Sequence, residues 1–231
     1  MSPLACVIPA YDAARTLAGV LRGVRLAVPD AMTVVVNDGS HDGTGAEARR
    51  WADCVVELPR NQGKGAALRA GFEMAVRAGA TNILTVDADG QHDPACAPRL
   101  LAALADADVV IGTRTRRGST MPVRRRVSNA ISAAAISVCA GQWLTDCQSG
   151  YRAVRATALS RVAPRGDRYE YETDFLIQAA RVGLRIACVS VPTIYGAPSH
   201  FRELRDAARV VGTICRRLPV AMLAAATAPA K

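Results

Sequence analysis

Residues 83–94 read Ile83-Leu84-Thr85-Val86-Asp87-Ala88-Asp89-Gly90-Gln91-His92-Asp93-Pro94. The first four, apolar and β-branched, suit a strand buried on both faces of a parallel sheet. Asp93 followed by Pro94 is an N-cap with proline at the first helical position, so a helix starts there. Between strand and helix lie two carboxylates. Successive residues of a continuing strand point opposite ways, but a turn at Asp89-Gly90 brings Asp87 and Asp89 to one cation, and Gln91 adds a neutral oxygen ligand. Few hard oxygen ligands on a loop suit Mg2+ or Mn2+ completed by phosphate oxygens and water. An isolated pair of this kind is more often a polar turn, so its surroundings decide.

Working outward, the same strand-then-loop pattern recurs. Ala5–Ile8, Thr33–Val36, Cys54–Leu58 and Val109–Ile111 read as further strands, and Thr16–Ala27, Gly45–Ala52, Lys64–Ala78 and Pro94–Ala105 have helical spacing. Alternating strands and helices predict a doubly wound α/β half over residues 1–112, whose ligands sit beyond the carboxyl ends of the strands. The polar residues after each strand therefore form one edge: Pro9, Tyr11 and Asp12; Asn37-Asp38-Gly39-Ser40; Asn61-Gln62-Gly63-Lys64-Gly65; Asp87 to Gln91; and Gly112-Thr113-Arg114. Asn37 to Thr44 suits a turn into a helix capped by Thr44, or a ligand site in which an acid accepts hydrogen bonds from a base or ribose. The 61–65 stretch lacks the spacing of a Walker phosphate loop, but its glycines permit close backbone approach at a helix N-terminus, where anions are favoured.

Beyond residue 112 the pattern changes. An arginine-rich stretch is followed by an Ala/Ser/Ile segment to Leu144, a strand around Gln148–Val154, a helix near Glu172–Val182, a strand over Arg185–Val191, a helix over Phe201–Arg217 and a short apolar tail, 218–231. With neither repeat nor flexible linker, the 231 residues are expected to form a single domain.

The net charge of +9 is unevenly placed: residues 1–100 carry 10 basic and 11 acidic side chains, residues 101–231 carry 19 and 9. A one-sided basic surface points to an anionic partner, whether nucleic acid, anionic lipid or phosphorylated substrate. With only 4% aromatic residues, stacking platforms for single-stranded nucleic acid are not expected. The seven cysteines, scattered and odd in number, suit buried small hydrophobes rather than disulfides or a zinc site. No stretch suits a bilayer span, and Met1 to Cys6 lacks the pattern of a signal peptide, so a cytoplasmic location is expected.

Taken together, Val7-Ile8-Pro9-Ala10-Tyr11, Val36 to Thr44, Asn61 to Gly65, Asp87 to Pro94 and Asp146-Cys147-Gln148-Ser149-Gly150-Tyr151-Arg152 resemble the motifs of family 2 glycosyltransferases of GT-A fold, a central mostly parallel sheet flanked by helices. The likeness covers roughly residues 4–210. Within that family it is similar to the dolichol-phosphate mannose synthase and polyprenyl-phosphate glycosyltransferase branch. The resemblance implies a metal-dependent, inverting transfer of a hexose from a nucleotide-diphosphate sugar, a GDP- or UDP-hexose. The cation would be held by Asp87, Asp89 and Gln91, and the nucleoside by Pro9, Tyr11, Asp12 and Asp38. Lys64 would lie near the donor and Arg114 would meet phosphate charge.

The acceptor implied is a polyprenyl or dolichyl phosphate at the inner membrane face, which is already ionised and attacks unaided. A hydroxyl acceptor would instead need a carboxylate to take its proton, and Asp146 is the candidate on that side. Residues 113–217 would form the acceptor and membrane-surface half, with Arg124-Arg125-Arg126 drawn to anionic headgroups. Where the branch shows Gly-x-Ser-Lys, this chain has Ser199-His200 followed by Arg202, an expected phosphate contact. Glu170, Glu172 and Asp174 resemble the acidic cluster before the family's late helix, where Asp174 is equally a first-turn helix acid.

Overall fold

The structure is a computed structural model and describes residues 3–114, 133, 134, 136–138, 141, 143, 144, 147, 149–192, 209–214, 216 and 217. In chain order its elements are β1 (Leu4–Ala10), α1 (Ala14–Ala27), β2 (Met32–Asn37), α2 (Thr44–Trp51), β3 (Cys54–Glu57), α3 (Lys64–Arg77) and β4 (Asn82–Thr85). A 3-10 turn (Pro94–Cys96) then leads into α4 (Ala97–Ala103), β5 (Val109–Arg114), β6 (Arg152–Arg155), α5 (Ala156–Leu159), α6 (Glu170–Arg181) and β7 (Ile186–Val191). Residues 209–214, 216 and 217 are helical, matching the end of the last expected helix.

The seven strands form one sheet in the order β3-β2-β1-β4-β6-β5-β7. β1 pairs in parallel with β2 and β4, β2 with β3, and β5 with β7, whereas β6 runs antiparallel to both β4 and β5. That single reversal shapes the site. Because Thr85 lies opposite Arg152, the residues entering β6 meet the loop leaving β4.

Near-continuous apolar strands are needed because both faces are covered. Cys6, Ile8 and Val35 pack against Leu17, Val20, Leu21 and Val24 of α1, while Ala5, Val7 and Val34 pack against Leu68, Phe72 and Ala75 of α3. Each fully buried Leu or Ile contributes about 2 kcal/mol. α3 sits so close that a Cβ on Gly71 would lie 2.3 Å from Val7 Cγ1. A further cluster joins Val109 and Ile111 of β5 and Val154 of β6 to Phe175, Leu176 and Ile177 of α6, with Ile136, Leu144, Val210 and Ile214.

Several boundaries differ from the sequence reading. The strand expected around Gln148–Val154 begins only at Arg152, because Arg152 turns its guanidinium back onto the carbonyls of Cys147 and Ser149 and keeps that segment a loop. The helix expected from Glu172 starts at Glu170, and α5 has no counterpart in the reading. Cys6, Cys96 and Cys147 are buried thiols as expected, but Cys188 is exposed on β7, the edge strand.

Candidate functional site

The carboxyl edge of the sheet is built from loops that hold one another. After β1, Asp12 adopts a left-handed conformation (φ 47°), which aspartate tolerates better than most residues. Its amide donates to Ser40 Oγ at 3.0 Å, and its Oδ1 accepts from the His41 amide at 2.8 Å. The N-terminus of α1 is capped from the other loop: the Ala13 amide donates to Thr44 Oγ1 at 2.8 Å and the Ala14 amide to Asp42 Oδ2 at 3.1 Å. Thr44 thus caps α1 rather than its own helix, whose N-cap is Gly43. Pro9 is half-buried within β1, and Tyr11 is half-buried at the loop start.

Asp38 has a different first task from the one its position suggested. It is 3% exposed, and its two oxygens accept from the Gln62 and Gly63 amides at 2.7 and 2.8 Å, which fixes the 61–63 loop against β2. Burial pushes its carboxyl up from the ordinary value, against the lowering by those two amides and by Arg168. Asp38 is therefore a loop anchor as well as a residue at the carboxyl edge of the sheet. Asn37, one residue earlier, joins the same frame by donating to Glu57 Oε2 at 2.6 Å.

The glycines of the 61–65 loop also serve a purpose other than anion approach. Gly63 has φ 104°, and a Cβ there would lie 2.5 Å from the Asp167 carbonyl oxygen, while one on Gly65 would lie 2.5 Å from Tyr171 Cβ. The Ala66 amide donates to that same Asp167 oxygen at 3.0 Å. The close neighbour is therefore the chain entering α6, which docks on the start of α3.

That docking creates the charged centre. Lys64, the first residue of α3, has its Nζ 2.7 Å from Asp87 Oδ1 and 3.1 Å from Glu172 Oε2. His92 Nε2 lies 3.4 Å from Asp87 Oδ2. Glu172, on α6 and 5% exposed, has its other oxygen 3.7 Å from Arg152 Nη2. Arg152 donates to the carbonyl oxygens of Cys147 and Ser149 at 2.9 Å and of Glu172 at 3.2 Å. The reversed strand delivers Gly150 into this centre, and the Gly150 carbonyl accepts from Thr85 Oγ1 at 2.7 Å. A Cβ on Gly150 would stand 2.4 Å from Asp87 Oδ2 and 2.5 Å from Lys64 Nζ.

Electrostatics follow from this arrangement. Burial disfavours the charged form of Asp87, but the adjacent Lys64 ammonium and the His92 hydrogen bond outweigh it and hold the carboxyl far below its usual range. The Lys64 ammonium is disfavoured by burial yet held protonated by Asp87 and Glu172. Asp89 goes the other way: burial and the negative charge of Asp87 raise its pKa, although its Oδ1 accepts from the Gln91 amide at 2.9 Å. A half-buried carboxylate pair in which Asp87 has the Lys64 ammonium and Asp89 has no ion-pair partner within reach among the described residues fits a divalent cation. Among the described residues no three acidic, histidine or cysteine side chains gather into a metal cage, so Asp87 and Asp89 suit an ion completed by phosphates and water.

The structure thus brings together Lys64, Asp87, Asp89 and Glu172 from the sequence reading, with Gly150, Arg152 and His92, which that reading quoted within its motifs without a role of their own. Asp174 is separated from that centre in its bonding: it accepts from Arg217 at 2.7 and 2.9 Å and from the Arg165 amide at 2.8 Å, a helix pin rather than a donor contact. Arg114 ends β5, paired in register with Val191, at the same carboxyl edge. Asp146, Arg202, the Ser199-His200 pair, Arg124 to Arg126 and the 218–231 tail lie outside the described residues. His92 Nδ1 is buried with no hydrogen-bond partner. The sequence signal for His92 was its place within the Asp87 to Pro94 motif.

Comparison with known proteins gives the family and the fold. A sequence model of the family described as Glycosyl transferase family 2 matches residues 5–163. Undecaprenyl-phosphate mannosyltransferase of Micrococcus luteus is 35% identical over 204 residues, covering 82% of this chain and 82% of the relative. Polyprenol monophosphomannose synthase of Mycolicibacterium smegmatis is 34% identical over 202 residues, covering 82% and 76%. Among solved structures, glucosyl-3-phosphoglycerate synthase from Mycobacterium tuberculosis, crystallised with Mn2+, UDP and phosphoglyceric acid, superposes with a TM-score of 0.75 at 22% identity, covering 93% of this chain and 78% of that one. The fold is the GT-A fold.

Proposed function

Since the chain belongs to glycosyltransferase family 2, we propose that it is a metal-dependent, inverting hexosyltransferase that moves a hexose from a GDP- or UDP-hexose to a polyprenyl phosphate at the membrane surface. The observation that carries this reading is the convergence of the second half of the chain on the donor-side carboxylate Asp87: Glu172 shares Lys64 with it, and Gly150 stands so near that an added Cβ would overlap it. The M. luteus and M. smegmatis relatives, named for undecaprenyl-phosphate and polyprenol phosphate, support the lipid acceptor. The M. tuberculosis structure with Mn2+ and UDP supports a divalent ion and a nucleotide donor.

In this reading Asp89 and Asp87, with Gln91, hold Mg2+ or Mn2+, which when bound stabilises negative charge on the departing nucleoside diphosphate. Lys64 sets a buried positive charge beside the same leaving group. Pro9, Tyr11, Asp12 and Asp38 are assigned to the nucleoside, and Asp38 also keeps the adjoining 61–63 loop in place. Arg114, at the end of β5, and Arg202 are assigned to phosphate charge. A lipid phosphate, ionised at neutral pH, attacks without a base, and a single displacement inverts the anomeric centre. Asp146 is assigned to the acceptor side. No helix among the described residues is long and apolar enough to cross a membrane, which suits peripheral attachment through the basic second half.

The test is a screen of GDP- and UDP-hexoses with Mg2+ or Mn2+ and a short polyprenyl phosphate, following nucleoside diphosphate release. Acceptor-stimulated release with one donor is expected. Its absence with every donor would sink the proposal.

A further inference from the structure

Lys64 is bonded to two carboxylates at once, Asp87 at 2.7 Å and Glu172 at 3.1 Å. This arrangement raises a physical difficulty for the cation site. An ammonium and a divalent ion at one carboxylate repel each other, so Asp87 serves the ion only if the Lys64 charge has another partner. Glu172 is such a partner. It is buried, its second oxygen faces Arg152 at 3.7 Å, and Arg152 is itself held by three main-chain carbonyls. Its carboxylate therefore has a fixed position set by α6 and β6 and independent of the loop that carries Asp87 and Asp89.

We propose that Glu172 is a positioning residue: it is the berth that retains the Lys64 ammonium when Asp87 turns to the cation and its bound diphosphate, and it thereby leaves the Asp87–Asp89 pair negative enough to bind that cation. The inference rests on the reading of Asp87 and Asp89 as the cation pair. The charge count shows why the berth matters. Asp87, Asp89 and Glu172 carry one more unit of charge than Lys64 and Arg152, and the His92 imidazole, 3.4 Å from Asp87, is common to the wild type and the variants. Replacing Glu172 with glutamine removes that excess and leaves Lys64 wholly to Asp87. Replacing Lys64 with methionine increases the excess. The two substitutions therefore move cation affinity in opposite directions, which a merely structural role for Glu172 does not predict. If Glu172 only packed α6 against α3, its near-isosteric glutamine would keep an oxygen toward Lys64 and change little.

The experiment titrates Mn2+ into the full chain and reads free Mn2+ by electron paramagnetic resonance, without turnover; the Lys64 variant is compared with wild type without nucleotide, because Lys64 is assigned a place beside the diphosphate, and the Glu172 variants are also read with saturating UDP, and separately GDP. Even with water-like screening, a unit charge removed within ~6 Å of a divalent ion changes its affinity by about tenfold. Glu172→Gln is expected to weaken Mn2+ binding by about that factor, Lys64→Met to tighten it, and Glu172→Asp to recover most of the affinity lost with glutamine. Circular dichroism identifies any variant that fails to fold, and the remaining variants then carry the sign test. Equal Mn2+ affinity in wild type and Glu172→Gln overturns the inference while leaving the proposed function standing, as does weakening in both the Glu172 and Lys64 variants. Failure of the wild type to bind Mn2+ with either nucleotide overturns both.

Discussion

Gly150→Ala isolates the contribution of the reversed strand to the cation site. The added methyl would stand 2.4 Å from Asp87 Oδ2, 2.5 Å from Asp87 Oδ1 and 2.5 Å from Lys64 Nζ, where Cβ contacts below 3.0 Å are essentially never found. The carboxylate and the ammonium must therefore retreat by roughly 0.5 Å or more. Both are the far ends of side chains, so the strain on the fold is modest. An overpacking cost of about 1 kcal/mol is expected, which corresponds to a fall in Tm of roughly 2–4 °C for a chain of this size. The effect on transfer is larger, because misplacing a catalytic group by about 1 Å costs up to ~100-fold. The assay pairs thermal melting with acceptor-stimulated nucleoside diphosphate release. Expected is a ten- to hundredfold loss of kcat/KM, roughly, with a nearly native melt. Gly19→Ala is the control: Gly19 lies in α1 with nothing within 4 Å of the added Cβ, so the variant is expected to gain about 0.5–1 kcal/mol and keep full activity. Native turnover and native Mn2+ affinity in Gly150→Ala would refute the argument, since they would show that Asp87 and Lys64 need not hold this geometry.

Three further outcomes are expected. Asp89→Asn removes a half-buried carboxylate whose charge burial and Asp87 disfavour, so Mn2+ binding in the presence of nucleotide should fall below detection while the melting temperature holds or rises. Asp174 is disfavoured as an anion by burial, but Arg217, the Arg165 amide and Gln178 reverse that and hold its carboxyl below the ordinary value. With a folded pKa below the unfolded value of about 3.9, its stabilisation is complete well above that value and is lost as pH falls through the folded pKa. Asp174→Asn should therefore cost about 3 kcal/mol at pH 7 and flatten the dependence of Tm on pH below about pH 4, as scanning calorimetry from pH 3 to 7 would reveal; an unchanged profile would contradict the assignment. Asp146→Asn separates the acceptor classes: with a lipid phosphate the loss of turnover should be mild and donor binding intact, whereas complete loss would point to a hydroxyl acceptor that needs a base.

The basic excess of the second half was plain from the sequence, and the described arginines of that half have mixed roles. Arg152, Arg155 and Arg217 are engaged with carbonyls and carboxylates of the protein itself. Arg155 binds the Ala107 carbonyl and helps hold β6 to the turn before β5. Part of the basic excess is therefore engaged in internal ties.

What the sequence determined by itself was local. Apolar runs of strand length, helical spacing between them and turn residues at their ends are properties of neighbouring residues, so the alternation of β1 to β5 with α1 to α4 could be read directly, as could the carboxylates of Asp87 and Asp89 at a strand end. The resemblance then supplied the chemistry. Only the tertiary structure decided which groups accompany those carboxylates. Lys64 and Glu172 come from helices far apart in the chain, and Gly150 arrives because β6 runs against β4. Hydrophobic periodicity fixes which face of an element is buried and leaves open the order and direction in which strands pair. The loop contacts of Asp38 and of the 61–65 glycines were not legible for the same reason: a carboxylate or a glycine beside a strand end suits a ligand or another loop equally well. Here the closer claimants were the Gln62 and Gly63 amides and the main chain at Asp167, which the packing of α6 on α3 placed within reach.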